Sequence, residues 1–85
     1  MNRLNKAFAD ALSDARESAG MSIASLAKAT GIPLRTLNRV LKGETDINVS
    51  HIYLIATALG MTTDDIVNKA DLYLTQAALN ALDNE

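Results

Sequence analysis

Apolar residues recur along this chain at steps of three and four, the period that gathers them on one face of an α-helix. No run alternates with the two-residue period of a strand. A first helix is expected from about Arg3 to Ser18, with Leu4, Ala7, Phe8, Ala11, Leu12 and Ala15 on its apolar side. Ala19-Gly20 closes it, with Gly20 at a left-handed cap position. A second helix, about Ile23 to Thr30, opens on Ser22 as N-cap, with Met21 and Leu26 spaced as a hydrophobic staple across it. Gly31 stops it. Pro33 fits the first turn of a third helix, where its missing N–H does no harm, and that helix runs to Lys42 before Gly43. The polar stretch Glu44 to Ile47 leads to Asn48, the expected N-cap of a fourth helix through Leu59. Thr62 and Asp65 have the spacing of a variant capping box before a fifth helix, about Thr63 to Ala70.

The expected fold class is therefore all-α: a compact bundle of five short helices in residues 1–70. Residues 71–85 form a C-terminal extension that carries Leu72, Leu79 and Leu82. It has the makings of a sixth helix. That stripe has three readings: docking on its own core, dimerisation, or the start of a linker to another domain.

Composition narrows the chemistry. Eighty-five residues, 48% of them apolar, suit one small domain with a single core. With no cysteine there is no disulfide framework and no thiolate zinc site, and one histidine makes a metal site improbable. No nucleophile, base and orienting group can be assembled, so no catalytic residues, cofactor or small-molecule substrate are expected. Asp64 and Asp65 are adjacent on a helix and point about 100° apart, which favours capping over a carboxylate pair. No signal-peptide core or membrane span can be drawn, and the expected location is the cytoplasm.

Net charge, −2, does not by itself suggest a polyanion as partner, but its distribution does. Between Ser18 and Gly43 there is no Asp or Glu, while Lys28, Arg35, Arg39 and Lys42 are present. From Met61 onward, Asp64, Asp65, Asp71, Asp83 and Glu85 face Lys69 alone. One stretch is basic and the far end acidic, as suits a protein that presents one face to a polyanion.

The basic stretch is also where two helices meet across only Gly31-Ile32. A turn this short makes them cross steeply. Gly31 supplies the backbone freedom, and Ala27 permits a close approach. Leu26, Ile32, Leu37 and Val40 are expected to seal the joint. On a helical wheel, Pro33, Leu37, Val40 and Leu41 fall on one arc of the third helix, and Arg35, Asn38, Arg39 and Lys42 on the other. Arginine can bond guanine and asparagine adenine in bidentate fashion, and a major groove about 12 Å wide admits such a helix. A merely solvated face would mix in glutamate. Here there is none.

From Leu12 to Ala70 the chain resembles the Cro and phage-repressor (XRE) family of helix-turn-helix domains. The resemblance rests on Arg16 and Gly20, on Leu26-Ala27 and Gly31, and on the run Ile55-Ala56-Thr57-Ala58-Leu59-Gly60. It implies a lambda-repressor-like bundle with the helix-turn-helix at helices 2 and 3. By position it implies base contacts from Leu34, Arg35, Thr36 and Arg39, with Asn38 beside them. It also implies that Ser22 and Ile23 meet phosphate through backbone amides. Lys28, Lys42 and Arg16 are expected to hold the DNA backbone, and the helix N-terminus at Asn48 to lie near a phosphate, although Asn48 itself reads first as a cap.

The chain departs from the family at three places. Leu34 stands where glutamine is frequent, and either touches a thymine methyl or packs against Leu41. Leu41 stands where some members carry a glutamate partner for the residue matching Arg16, so Arg16 needs another partner, a phosphate among the candidates. Glu44 and Asp46 stand in a loop that is often basic. His51 reads as a solvated surface histidine ahead of a phosphate contact, and Phe8, Tyr53 and Tyr73 as core or core-edge residues rather than stacking platforms. The function expected is that of a sequence-specific repressor on a double-stranded operator, with a homodimer formed free or only on DNA. An antitoxin or restriction controller uses the same module. A helical protein-interaction module is the alternative from another class.

Overall fold

The structure, a computed structural model, describes residues 2–83. Its helices are α1 (Arg3–Ser18), α2 (Ile23–Thr30), α3 (Leu34–Lys42), α4 (Val49–Ala58) and α5 (Thr63–Asp83), with no strand among the described residues. Side chains begin most of them. Asn2, Ser22 and Asn48 each accept the N–H of the residue three positions on, satisfying one of the donors that a helix start leaves open. At α5 the capping box is reciprocal: Thr62 Oγ1 accepts from the Asp65 N–H at 3.1 Å, and the Asp65 carboxylate accepts from the Thr62 N–H at 2.9 Å. Hydrogen bonds from the Thr62 backbone, then from its side chain, hold the Asp65 carboxyl below its ordinary value.

Helix ends are equally local. After α1, α3 and α4 the chain turns at a glycine, and the next N–H returns to the carbonyl five residues earlier, as in Met21 to Arg16, Glu44 to Arg39 and Met61 to Ala56. These bonds satisfy carbonyls that the helix itself cannot.

Three boundaries differ from the sequence expectation, the least of them at α4, which ends at Ala58 with Leu59 as its cap. Pro33 is the N-cap of α3 rather than its first residue, because its ψ of 140° is extended. Residues 71–83 are helical, but as the second half of α5 and not as a separate sixth helix. No glycine or proline follows Gly60, so nothing interrupts the hydrogen-bond ladder at Ala70. Residues 84 and 85 of the expected extension lie outside the described residues.

Each helix places at least one fully buried large side chain in a common core: Leu12, Leu26, Leu37 with Val40, Ile55 and Ile66. Around it the small residues Ala7, Ala11, Ala15, Ala56 and Ala70 let the helices approach closely. α1 and α5 run antiparallel. Lys69 Nζ meets Asp14 Oδ2 at 2.7 Å, and Arg3 to Asp10 share a shallow cleft with Tyr73, Leu74 and Ala77. The apolar face of α1 is not quite the expected one. Leu4 is 53% exposed, and Asn5 is buried in its place. Among the described residues beyond Ala70, α5 keeps only Leu74 and Ala77 half-buried, and its end extends past the bundle. A compact chain of this length has a radius of gyration of about 12 Å. The observed 13.0 Å and the 45 Å long axis reflect that extension.

Candidate nucleic-acid interface

The corner between α2 and α3 is built from a few hydrogen bonds and one sealed joint. Gly31 adopts φ +76° and donates its N–H to Ala27 O at 2.9 Å. A residue with a Cβ reaches that left-handed region only with strain. Thr30 Oγ1 donates to Leu26 O at 2.8 Å and accepts the Ile32 N–H at 3.2 Å, so one hydroxyl holds both sides of the turn. Leu26, Ile32, Leu37 and Val40 are all buried beneath it.

That packing fixes the face α3 turns outward. Leu37, Val40 and Leu41 point into the core, while Arg35, Arg39 and Lys42 are exposed. None of these three cations, nor Lys28 on α2, forms an ion pair among the described residues. Leu34 is half exposed at the start of the helix, so packing against Leu41 does not bury it. Thr36 and Asn38 are half-buried at the margins of the outward face. Pro33 offers no side-chain acceptor, and no cap bond satisfies the first amides of α3.

The flanking residues divide. Ser22 is exposed, and its hydroxyl caps α2 by accepting the Ser25 N–H at 3.1 Å; Ile23 beside it is half-buried. Asn48 caps α4 by accepting the His51 N–H at 2.8 Å. Arg16 has the partner that the sequence left open, a backbone carbonyl: its Nη1 donates to Met21 O at 2.7 Å. The guanidinium thereby ties the end of α1 to the residue before the α2 cap. His51 is not the solvated histidine expected, because it is half-buried and its Nδ1 is enclosed without a hydrogen-bond partner among the described residues. Tyr53 is not a core residue either. It stands 59% exposed beside Val49, Leu54 and Thr63 in an open apolar groove.

Two residues that position α3 and its following loop escaped the sequence reading. Ser13 Oγ donates to Leu41 O at 2.8 Å, so α1 satisfies one of the open carbonyls at the end of α3. Asn5 Nδ2 donates to Thr45 O at 3.0 Å, and Asn5 Oδ1 accepts the Ile47 N–H at 2.8 Å. The only available signal was that Asn5 stands seven residues before Leu12, on the buried line of α1.

Comparison with known proteins agrees with this geometry. The helix-turn-helix family HTH_3 matches residues 12–66, which contain α2, α3 and α4 entire. An uncharacterized HTH-type transcriptional regulator of Haemophilus influenzae is 33% identical over 57 residues, 67% of this chain. The chain spans 56% of that relative's length. Among solved structures, the clp gene regulator ClgR from Corynebacterium glutamicum superposes with a TM-score of 0.84 at 24% identity, covering 95% of this chain and 87% of that one. A second crystal structure of that regulator gives 0.76 at the same identity, over 80% of this chain and 88% of the other. The chain belongs to the helix-turn-helix family HTH_3, and its homology is that of DNA-binding transcriptional regulators.

Proposed function

We propose that this chain is a sequence-specific transcriptional repressor of the phage-immunity or Cro type, which lays α3 in the major groove of a double-stranded operator. The observation that carries the reading is the bare cationic side of α3. Among the described residues Arg35 and Arg39 stand exposed with no carboxylate paired to them, on a helix anchored in the core by Leu37, Val40 and Leu41. Guanidinium groups that are free in the unbound protein need not break an internal ion pair before they meet a base edge.

In this reading Arg35 and Arg39 read bases, with Leu34, Thr36 and Asn38 beside them. Lys28, Lys42 and the helix starts at Ser22-Ile23 and Asn48-His51 meet phosphates, where a helix dipole favours negative charge. Arg16 serves the α1–α2 turn first, and its contribution to DNA is indirect. Occupying the operator excludes polymerase.

A homodimer is part of the proposal. Leu72, Leu79 and Leu82 are exposed, and they lie on the side of α5 away from Ile66, Ala70 and Ala77, which face the bundle. Two copies would set their α3 helices about 34 Å apart on successive major grooves. Selecting bound duplexes from a random library tests the whole reading. A palindromic consensus is the expected result, an asymmetric one removes the dimer, and no enrichment at low salt removes DNA binding.

A further inference from the structure

The segment between α3 and α4 is short, bears no helix, and joins two elements of the proposed DNA face. From Thr45 to Ile47 its hydrogen bonds among the described residues are the two made by Asn5. Both go to backbone atoms, and both bridge some forty positions of sequence. Asn5 is 9% exposed and is the one buried polar residue among those described, beside a core of apolar side chains. It stands at the start of α1, a helix that also holds the end of α3 through Ser13 and Leu41.

A lone amide in such a place does something an apolar residue cannot. Leucine would fill the volume, but it would leave the Thr45 carbonyl and the Ile47 N–H without partners and the segment free to shift along α1. The amide supplies a donor and an acceptor at once, so it fixes both the height and the direction of the backbone. Glu44 and Asp46 sit in this same segment, and a shift of a few ångströms decides how close those carboxylates come to phosphate. The position of the Asn48 cap follows directly.

We propose that Asn5 is a positioning residue for DNA binding, which clamps the segment after α3 so that the start of α4 is presented to the DNA backbone and the acids beside it are held in register. The inference rests on the DNA-binding reading above. Base preference stays with α3, and the clamp acts on affinity that is independent of sequence.

The test compares wild-type protein, Asn5→Ala, Asn5→Asp and Lys42→Ala on a duplex recovered from the selection and on a scrambled duplex. Binding is titrated over a range of salt at a temperature where circular dichroism shows every variant fully helical. Asn5→Asp keeps the side-chain volume but sets a carboxylate oxygen against the Thr45 carbonyl, so it breaks the clamp without leaving a cavity. Both Asn5 variants are expected to lose about two- to tenfold in affinity, the range spanned by the net worth of one hydrogen bond, and by the same factor on both duplexes. The salt slope should fall by up to about one, and the Ile47 amide should exchange faster with solvent. Variants that melt earlier yet keep wild-type affinity and slope while folded would make Asn5 a stability residue only and overturn the proposal. If Lys42→Ala also leaves the slope unchanged, or the wild type binds neither duplex, the interface reading itself has failed and the clamp falls with it.

Discussion

Replacing Gly31 by alanine isolates the backbone term of the helix-turn-helix corner. An added Cβ at Gly31 meets no atom within 4 Å, so the substitution introduces no clash and the cost is conformational. Holding an L-residue at φ +76° costs about 1–2 kcal/mol. Alanine also narrows the unfolded ensemble, which returns about 0.4–1 kcal/mol. The expected net loss is about 0.5–1.5 kcal/mol, or a fall in Tm of roughly 3–10 °C for a domain of this size. Gly60 provides an internal control, since its φ is +73° and its surroundings are equally open. Gly60→Ala should lose the same amount to within about 0.5 kcal/mol, although it lies at the far end of α4. Gly31→Asn should lose less, because asparagine enters the left-handed region more readily. Urea unfolding followed by circular dichroism measures all three. A loss above about 3 kcal/mol at Gly31 but not at Gly60 would mean that the corner is sterically closed, and the backbone argument would be wrong.

Other outcomes follow from particular contacts. Arg39→Ala should cost about 1–3 kcal/mol of binding and relax one base preference, whereas Lys42→Ala should weaken all duplexes alike; equal losses on selected and scrambled DNA for both would refute the division of roles. Leu37→Ala removes a side chain with no exposed surface from beneath the corner and should destabilise the domain by about 2–5 kcal/mol in denaturant titration. Asp65 has a folded-state carboxyl depressed below 3.8 by its bonds to Thr62, so its contribution to stability is present above that value and fades as pH falls through the depressed one. The Tm gap between wild type and Asp65→Ala should therefore shrink in strong acid, and a gap independent of pH would contradict the capping role. Lys69 is the mirror case. Its bond to Asp14 raises its value above 10.5, so that support is present at neutral pH and lost as pH rises through the raised value. Being a surface pair, it should cost less than about 1 kcal/mol when Lys69→Met removes it.

Much of the fold was legible because its signals are local. Ser22, Asn48 and the Thr62–Asp65 pair cap helices through atoms three residues apart, and the glycines end helices through backbone geometry that belongs to the glycine itself. The outward face of α3 was legible too, since the spacing of Leu37, Val40 and Leu41 leaves Arg35 and Arg39 no other side to occupy. The break expected at Ala70 was absent because no glycine or proline after Gly60 interrupts the helix, which carries its leucines on two sides. Leu72 and Leu79 keep a helical period, but on the side away from the core.

The order of helices, their caps and the cationic face were thus set by the sequence alone, because each depends on residues within one or two turns of one another. The tertiary structure decided which polar side chains reach across the chain. Asn5 finding Thr45 and Ile47, Ser13 finding Leu41, and Arg16 finding the Met21 carbonyl rather than an acidic partner on α3 depend on how α1 lies against its neighbours. Periodicity says which face of a helix is buried, but not which backbone atom of another segment will be waiting there.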